Sequence, residues 1–129
     1  MSEDQAPQVG SITWRDLTVP DATKVADFYK EVVGWKVEPV SMGDYNDYNV
    51  NTPKEGETVA GICHARGENS KMPAQWLMYI TVANVEESAR KCTEHGGEIL
   101  DGPRDLGEGR FCVVKDPAGA VCALYAPTS

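Results

Sequence analysis

The sequence is short of histidine, with only His64 and His95, and it has just two phenylalanines among 129 residues. Two imidazoles leave little room for the nitrogen-rich ligand sets that hold transition metals. Basic charge is also scarce: 12 Lys and Arg stand against 20 Asp and Glu, for a net charge of −8. Such a surface repels phosphate backbones, so no nucleic-acid partner is expected unless the few Lys and Arg cluster. No apolar run approaches the roughly 20 residues that span a bilayer, so no membrane partner is expected. The four cysteines, Cys63, Cys92, Cys112 and Cys122, show no C-x-x-C or other zinc spacing. Residues 1–10 are polar and acidic, lack the basic start and apolar stretch of a signal peptide, and read as a flexible tail. Reduced, buried thiols and a cytoplasmic location are the expectation.

What is present is an order of signals that occurs twice. Ile12 to Val19 alternates and is rich in strand formers; Pro20 and Asp21, a candidate N-cap, follow. Val25, Phe28, Tyr29 and Val32 then recur at i, i+3, i+4 and i+7, one face of a helix that Gly34 stops. Trp76 to Val82 is again a strand, with Asn84 as the second N-cap, Val85, Ala89 and Cys92 as the apolar stripe, and Gly96-Gly97 as the stop. Phe28, Tyr29, Val32, Ala89 and Cys92 are expected to be buried. Thr18 and Thr81, Val19 and Val82, Asp21 and Asn84, and Gly34 and Gly97 are each 63 residues apart.

Further strands are expected at Trp35 to Val40, Tyr45 to Asn51 and Thr58 to His64, then at Glu98 to Asp101, Arg110 to Lys115 and Ala120 to Tyr125. Gly102-Pro103 and Asp116-Pro117-Ala118-Gly119 punctuate the second set. The organisation is α+β, βαβββ twice: a first module over 11–65, a linker over 66–74 and a second module over 75–126.

This order resembles the vicinal oxygen chelate superfamily, which includes glyoxalase I, extradiol dioxygenases and bleomycin-resistance proteins. The resemblance is carried by Val19-Pro20-Asp21 leading to Phe28-Tyr29-Lys30-Glu31-Val32-Val33-Gly34-Trp35, by Val82-Ala83-Asn84-Val85-Glu86-Glu87 leading to Gly96-Gly97, and by Asp116-Pro117-Ala118-Gly119. It implies curved sheets that form a cleft, a small organic ligand and a homodimer; the small core of a chain this short supports the last. In metal-using members a divalent ion acts as Lewis acid. The family's ligand positions map here to Trp14, Leu77, Ala123 and a residue near Ala60, none of which can bind a metal. Neither metal nor cofactor is therefore expected, with Asp16 the sole obvious oxygen ligand on the cleft face.

Strand parity and the family register place Trp14, Asp16, Leu77, Tyr79, Val121, Ala123 and Tyr125 on the cleft floor. Asp16 and Tyr79 read either as an acid/base or hydrogen-bonding pair that orients a ligand, or as a carboxylate satisfied for structural reasons. Arg104 and Arg110 read as a clamp on an anionic ligand or as loop surface charges. Tyr45, Tyr48 and Asn49 are candidates for the other wall. His64 reads as a hydrogen-bonded strand-end residue. Three functions follow: a metal-free binding protein; an enzyme of lyase, isomerase or dioxygenase type, with displaced metal ligands or acid/base work through Asp16; and a ligand-free dimeric scaffold.

Overall fold

In the computed structural model, which describes residues 8–127, both helices begin where a short polar side chain caps them. The Asp21 carboxylate accepts the Lys24 N–H at 3.1 Å to open α1 (Ala22–Val33). Asn84 Oδ1 accepts the Glu87 N–H at 2.8 Å to open α2 (Val85–Glu94), where Glu86 and Glu87 occupy the positive end of the helix dipole. Gly34 closes α1 in the left-handed region at φ 88° and donates its N–H to the Lys30 carbonyl, a conformation that only glycine adopts cheaply.

The strands are β1 (Ile12–Val19), β2 (Lys36–Ser41), β3 (Asn46–Asn51), β4 (Thr58–His64), β5 (Trp76–Thr81), β6 (Glu98–Leu106), β7 (Gly109–Lys115) and β8 (Val121–Pro127). The order β1-α1-β2-β3-β4, then β5-α2-β6-β7-β8, is the tandem βαβββ arrangement expected from the sequence, in an α+β fold. A 3-10 turn at Gly67–Asn69 lies between the two halves. The chain divides into one unit over Trp14–Trp76 and another that takes residues 77–127 together with residues 8–13. Of the expected tail, 1–7 lie outside the described residues, while Gly10 donates its N–H to the Thr81 carbonyl at 2.8 Å.

Within the first unit the strand order is β2-β3-β4-β1, with β1 parallel to β4 and the remaining pairs antiparallel. The second repeats it as β5-β8-β7-β6, with β5 parallel to β8. The first core sets Ala22 and Ala26 of α1 against Leu17, Val19, Val50, Ala60 and Ile62. The second sets Val85 and Ala89 against Cys112 and Val114, with Cys92, Cys122 and Leu124 packed beside them. Each fully buried Ile or Val in these layers contributes about 1.5–3 kcal/mol by leaving water.

Two expectations need correction. Phe28 and Val32 are not buried: they are 55% and 64% exposed, and Tyr29 and Cys92 are half-buried, so of the five only Ala89 is buried. The sheet-facing side of α1 is carried by Ala22, Val25, Ala26 and Tyr29, which lets the helix approach closely on small side chains and turns the next stripe outward. Also, β6 does not stop at Asp101 but runs through Gly102-Pro103 to Leu106, with register shifts between Ile99 and Asp101 and between Asp101 and Arg104. Gly102 makes this continuous: its φ is +84°, and a Cβ there would lie 2.7 Å from the Phe111 carbonyl oxygen.

Candidate ligand-binding site

Each module has a helix on one sheet face, and alternation sends the remaining side chains to the other. In the first module Leu17, Val19 and Ile62 face α1, so Trp14, Asp16, Thr18, Gly61 and Cys63 lie on the helix-free face. Trp14 lies against Gly61, where an added Cβ would sit 3.4 Å from a Trp14 ring carbon and 3.6 Å from Asp16 Cβ. Asp16 Oδ1 is shielded from water. Burial pushes the Cys63 thiol up to about 12, and the charges of Asp16 and Asp47 push it the same way, as does the hydrogen bond with Asp47. Asp47 reaches this group from β3, and its Oδ1 also accepts the His64 N–H at 2.8 Å.

In the second module Cys112, Val114, Cys122 and Leu124 face α2, which leaves Leu77, Tyr79, Thr81, Phe111, Val113, Val121, Ala123 and Tyr125 on the helix-free face. Tyr79 stacks on Phe111 with ring centres 6.3 Å apart. The Arg104 guanidinium lies over that Phe111 ring at 4.5 Å and holds Asp101 through two hydrogen bonds of 3.1 and 2.9 Å. Tyr125 runs along β7 above Gly109, where a Cβ would meet its hydroxyl at 2.5 Å. Leu77, Tyr79, Phe111 and Ala123 are buried, whereas Arg104, Val121 and Tyr125 are half-buried. The face is apolar and aromatic with a fixed guanidinium at its edge.

Several expected residues fall elsewhere. Arg110, expected at the ligand, is on the helix side of β7: its guanidinium bonds Glu86 of α2, with Nε at 2.9 Å, and Asp105 at 3.1 Å. Glu86 is held below the usual carboxylate range, first by its hydrogen bond with Arg110. One residue of parity separates Arg110 from Phe111, and that decides the matter. Tyr48 also turns to the helix side, with its hydroxyl 2.7 Å from Thr23 Oγ1, while Asn49 points to the helix-free side. Tyr45 packs against His64, whose Nδ1 is 2.9 Å from the Asn46 carbonyl oxygen. Trp76 is a packing residue, donating from Nε1 to the Tyr29 hydroxyl at 3.0 Å. Sequence reasoning missed Phe111, Asp47 and Cys63. The parity of Phe111 was readable from β7, but Asp47 and Cys63 required the β3–β4 register.

Asp16 pairs across to Gly61 as Tyr79 pairs across to Ala123, so Gly61, not Ala60, matches Ala123; Ala60 faces α1. Trp14, Leu77, Ala123 and Gly61 offer no side-chain oxygen, nitrogen anion or thiolate donor, and the Trp14 ring fills the space above Gly61. Among the described residues no group of three or more His, Cys, Asp or Glu is placed to hold a metal. The residues at these positions do not fit a divalent ion.

Paired βαβββ modules with one helix-free face each define the class, a small-molecule-binding scaffold. Residues 8–124 match the Glyoxalase/Bleomycin resistance protein/Dioxygenase superfamily, and the chain belongs to that family. It is 30% identical over 132 residues to the anthracycline biosynthesis protein DnrV of Streptomyces peucetius, in an alignment covering 90% of this chain and 46% of that protein. The chain spans about half the length of the curated relatives it matches. The crystal structure of methylmalonyl-CoA epimerase from Mycobacterium tuberculosis is similar with a TM-score of 0.56 at 13% identity, over 98% of this chain and 95% of that one. The hypothetical protein BH1468 from Bacillus halodurans C-125 is similar with a TM-score of 0.59 at 13% identity, over 95% and 97%. These two share the fold. Among the described residues no helix is long and apolar enough to cross a membrane.

Proposed function

We propose that the protein binds a small, largely aromatic organic molecule on the helix-free faces of its modules, without a metal ion to hold it. The observation that carries this reading is the Tyr79–Phe111 stack capped by Arg104, an aromatic surface with an oriented cation at its edge. Trp14 of the first module and Val121 and Tyr125 of the second retain exposure and are proposed contacts; the buried Leu77 and Ala123 are proposed as the floor of the second module's face. Asp16 and Tyr79 are the proposed polar contacts. The similarity to a protein named for anthracycline biosynthesis supports a planar polycyclic probe.

The test is a thermal-shift screen of aromatic compounds that includes an anthracycline, followed by titration of tryptophan fluorescence. A ligand that binds only the folded state raises the midpoint, and Arg104→Ala and Asp16→Asn weaken that response. A screen in which no aromatic compound raises the midpoint or changes the fluorescence sinks the proposal.

A second reading, acid/base catalysis through Asp16, is favoured by the shielding of its Oδ1 from water. Once a ligand is found, Asp16→Asn separates the two: loss of turnover with binding retained supports the enzyme, and no turnover in the native protein rejects it.

A further inference from the structure

Sulfur is unevenly placed in the two modules. Cys63 is the one cysteine of the first, while Cys92, Cys112 and Cys122 share the layer between α2 and its sheet. The first module builds the same layer without thiols. Counted back from the helix stops Gly34 and Gly97, Tyr29 stands where Cys92 does. Counted across paired strands, Ala60 matches Cys122 and Tyr48 matches Cys112. Packing alone therefore does not demand sulfur at these three positions.

Cys92 lies in the last turn of α2, on the stripe that faces the sheet. The helix loosens there: the Cys92 carbonyl accepts the N–H of His95 at 3.2 Å and that of Gly97 at 2.8 Å. Its thiol donates only weakly, to the Glu98 carbonyl at 4.0 Å. Gly97 locates the sulfur. A Cβ on Gly97 would lie 2.5 Å from Cys92 Sγ and 2.9 Å from the Lys115 carbonyl oxygen, so the sulfur stands beside the end of β7. The strand next to that end is β8, where Val121 pairs with Lys115 and Cys122 with Val114. Cys122 faces α2 from this position, as Cys92 faces the sheet. Burial, then Asp116, then Cys92 push the Cys122 thiol up, so the two sulfurs are near enough to feel each other's charge. Cys112 lies further along β7, opposite Leu124, and is fully buried, whereas Cys92 and Cys122 both retain exposure.

We infer that Cys92 and Cys122 are an oxidisable pair, which a peroxide converts into a disulfide that ties the end of α2 to β8. The first step falls to Cys92, at the loosened helix end, while burial keeps Cys122 protonated. The Cys92 thiolate attacks one oxygen of the peroxide; the S–O bond forms, the O–O bond breaks, and the departing hydroxide takes up a proton as water. The Cys122 thiol then loses its proton and attacks the sulfenic sulfur; the S–S bond forms, the S–O bond breaks, and a second water leaves. Two thiols give up two electrons and the peroxide gains them. The loop so closed contains β6 and β7 whole, and with them Arg104 and Phe111. Oxidation locks the hairpin that carries the aromatic surface, and the chemistry of the pair does not depend on what that surface binds.

Stoichiometric hydrogen peroxide on the native protein at pH 8 tests it, read by thiol counting, intact mass and peptide mapping. Of four free thiols two should be lost, the mass should fall by two hydrogens, and one cross-linked peptide should join Cys92 to Cys122. Dithiothreitol should restore all four. Cys112→Ala should oxidise as the native chain does. Cys122→Ala should form no internal link and should hold Cys92 as a sulfenic acid, trapped by a 1,3-dione probe. The oxidised chain should melt at a higher temperature than the reduced one, because the cross-link restricts the unfolded chain most. Four thiols retained, a link that uses Cys63 or Cys112 or joins two chains, Cys92 carried only to the sulfinic acid, or a melting temperature that does not rise would each overturn the inference.

Discussion

Arg104 and Phe111 face each other directly across β6 and β7, and the guanidinium rests 4.5 Å from the ring centre. Arg110, the neighbour of Phe111, projects the other way and ties β7 to α2 through Glu86. Two arginines of one hairpin thus serve opposite faces of the same sheet.

Their substitutions should separate accordingly. Arg104→Ala removes a half-buried bidentate pair and a cation–π contact, and should cost about 1–2 kcal/mol of stability while weakening binding of any aromatic ligand. Arg110→Gln should leave ligand binding unchanged and lower the melting temperature. Its effect should depend on pH. Arg110 lowers the Glu86 pKa in the folded state, so the stabilisation is present above the ordinary carboxylate value of 4.5 and is lost as pH falls through the lowered one. Melting curves of native protein and Arg110→Gln should converge below that pH; a gap that stays constant into strong acid contradicts the assignment.

The buried thiols make a prediction of opposite sign. Burial first, then neighbouring charges, pushes Cys63 to about 12 and Cys112 to about 11, against an ordinary value of 9.0. A folded pKa raised above the unfolded one gives stability that is complete below pH 9 and declines as pH rises toward those values. Denaturant midpoints should fall above pH 9, and Cys63→Ala should flatten that fall. In native protein at pH 8 these two thiols should react with a disulfide reagent far more slowly than after denaturation, when four free thiols titrate. Rapid native labelling of Cys112 would contradict its burial.

The order of elements was readable because each boundary has a local cause: Asp21 and Asn84 as caps, Gly34 as a left-handed stop, and strand alternation between them. What escaped was set by partners distant in sequence. The apolar spacing of Val25, Phe28, Tyr29 and Val32 is helical, but its width exceeds the stripe a sheet can cover, and only packing shows that Ala22 and Ala26 win the inner positions. Gly102-Pro103 reads as a loop until β7 is seen to hold both sides of it in one strand. Gly61, not Ala60, matches Ala123 because module equivalence is kept by pairing across strands, not by a constant offset in number. The Asp47–Cys63 contact depends on the β3–β4 register, which no periodicity encodes.

Gly109 has a steric role that substitution can expose. A Cβ there would lie 2.5 Å from the Tyr125 hydroxyl and 2.6 Å from the Ala126 carbonyl oxygen, the latter on backbone that cannot swing aside. Gly109→Ala should therefore cost about 1–3 kcal/mol, in the range of overpacked sites. It should also displace the Tyr125 ring, a change readable in tyrosine near-ultraviolet circular dichroism. Gly107, with nothing within 4 Å of its Cβ position but a φ of +57°, is the control: alanine there strains backbone only and should leave that spectrum unchanged.

Thr81 is the clearest case of a buried polar group left unmatched. Its main chain is fully used, with N–H to the Ser11 carbonyl at 2.9 Å and carbonyl to the Gly10 N–H at 2.8 Å. The residue is 3% exposed, and Oγ1 is buried without a hydrogen-bond partner among the described residues. A hydroxyl taken from water and left unsatisfied costs about 1–3 kcal/mol, and an apolar group of the same shape removes that cost. Valine keeps the branched Cβ and suits a strand. Thr81→Val should then raise the unfolding free energy by about 1 kcal/mol or more, read from denaturant midpoints at constant m-value. A lower midpoint would mean that the hydroxyl is engaged in solution, by a bound water or by a ligand carried through purification. Repeating the measurement after refolding from denaturant separates these, because refolding restores a water but removes a carried ligand. A native midpoint that drops on refolding to meet that of Thr81→Val would place Thr81 among the ligand contacts of the second module.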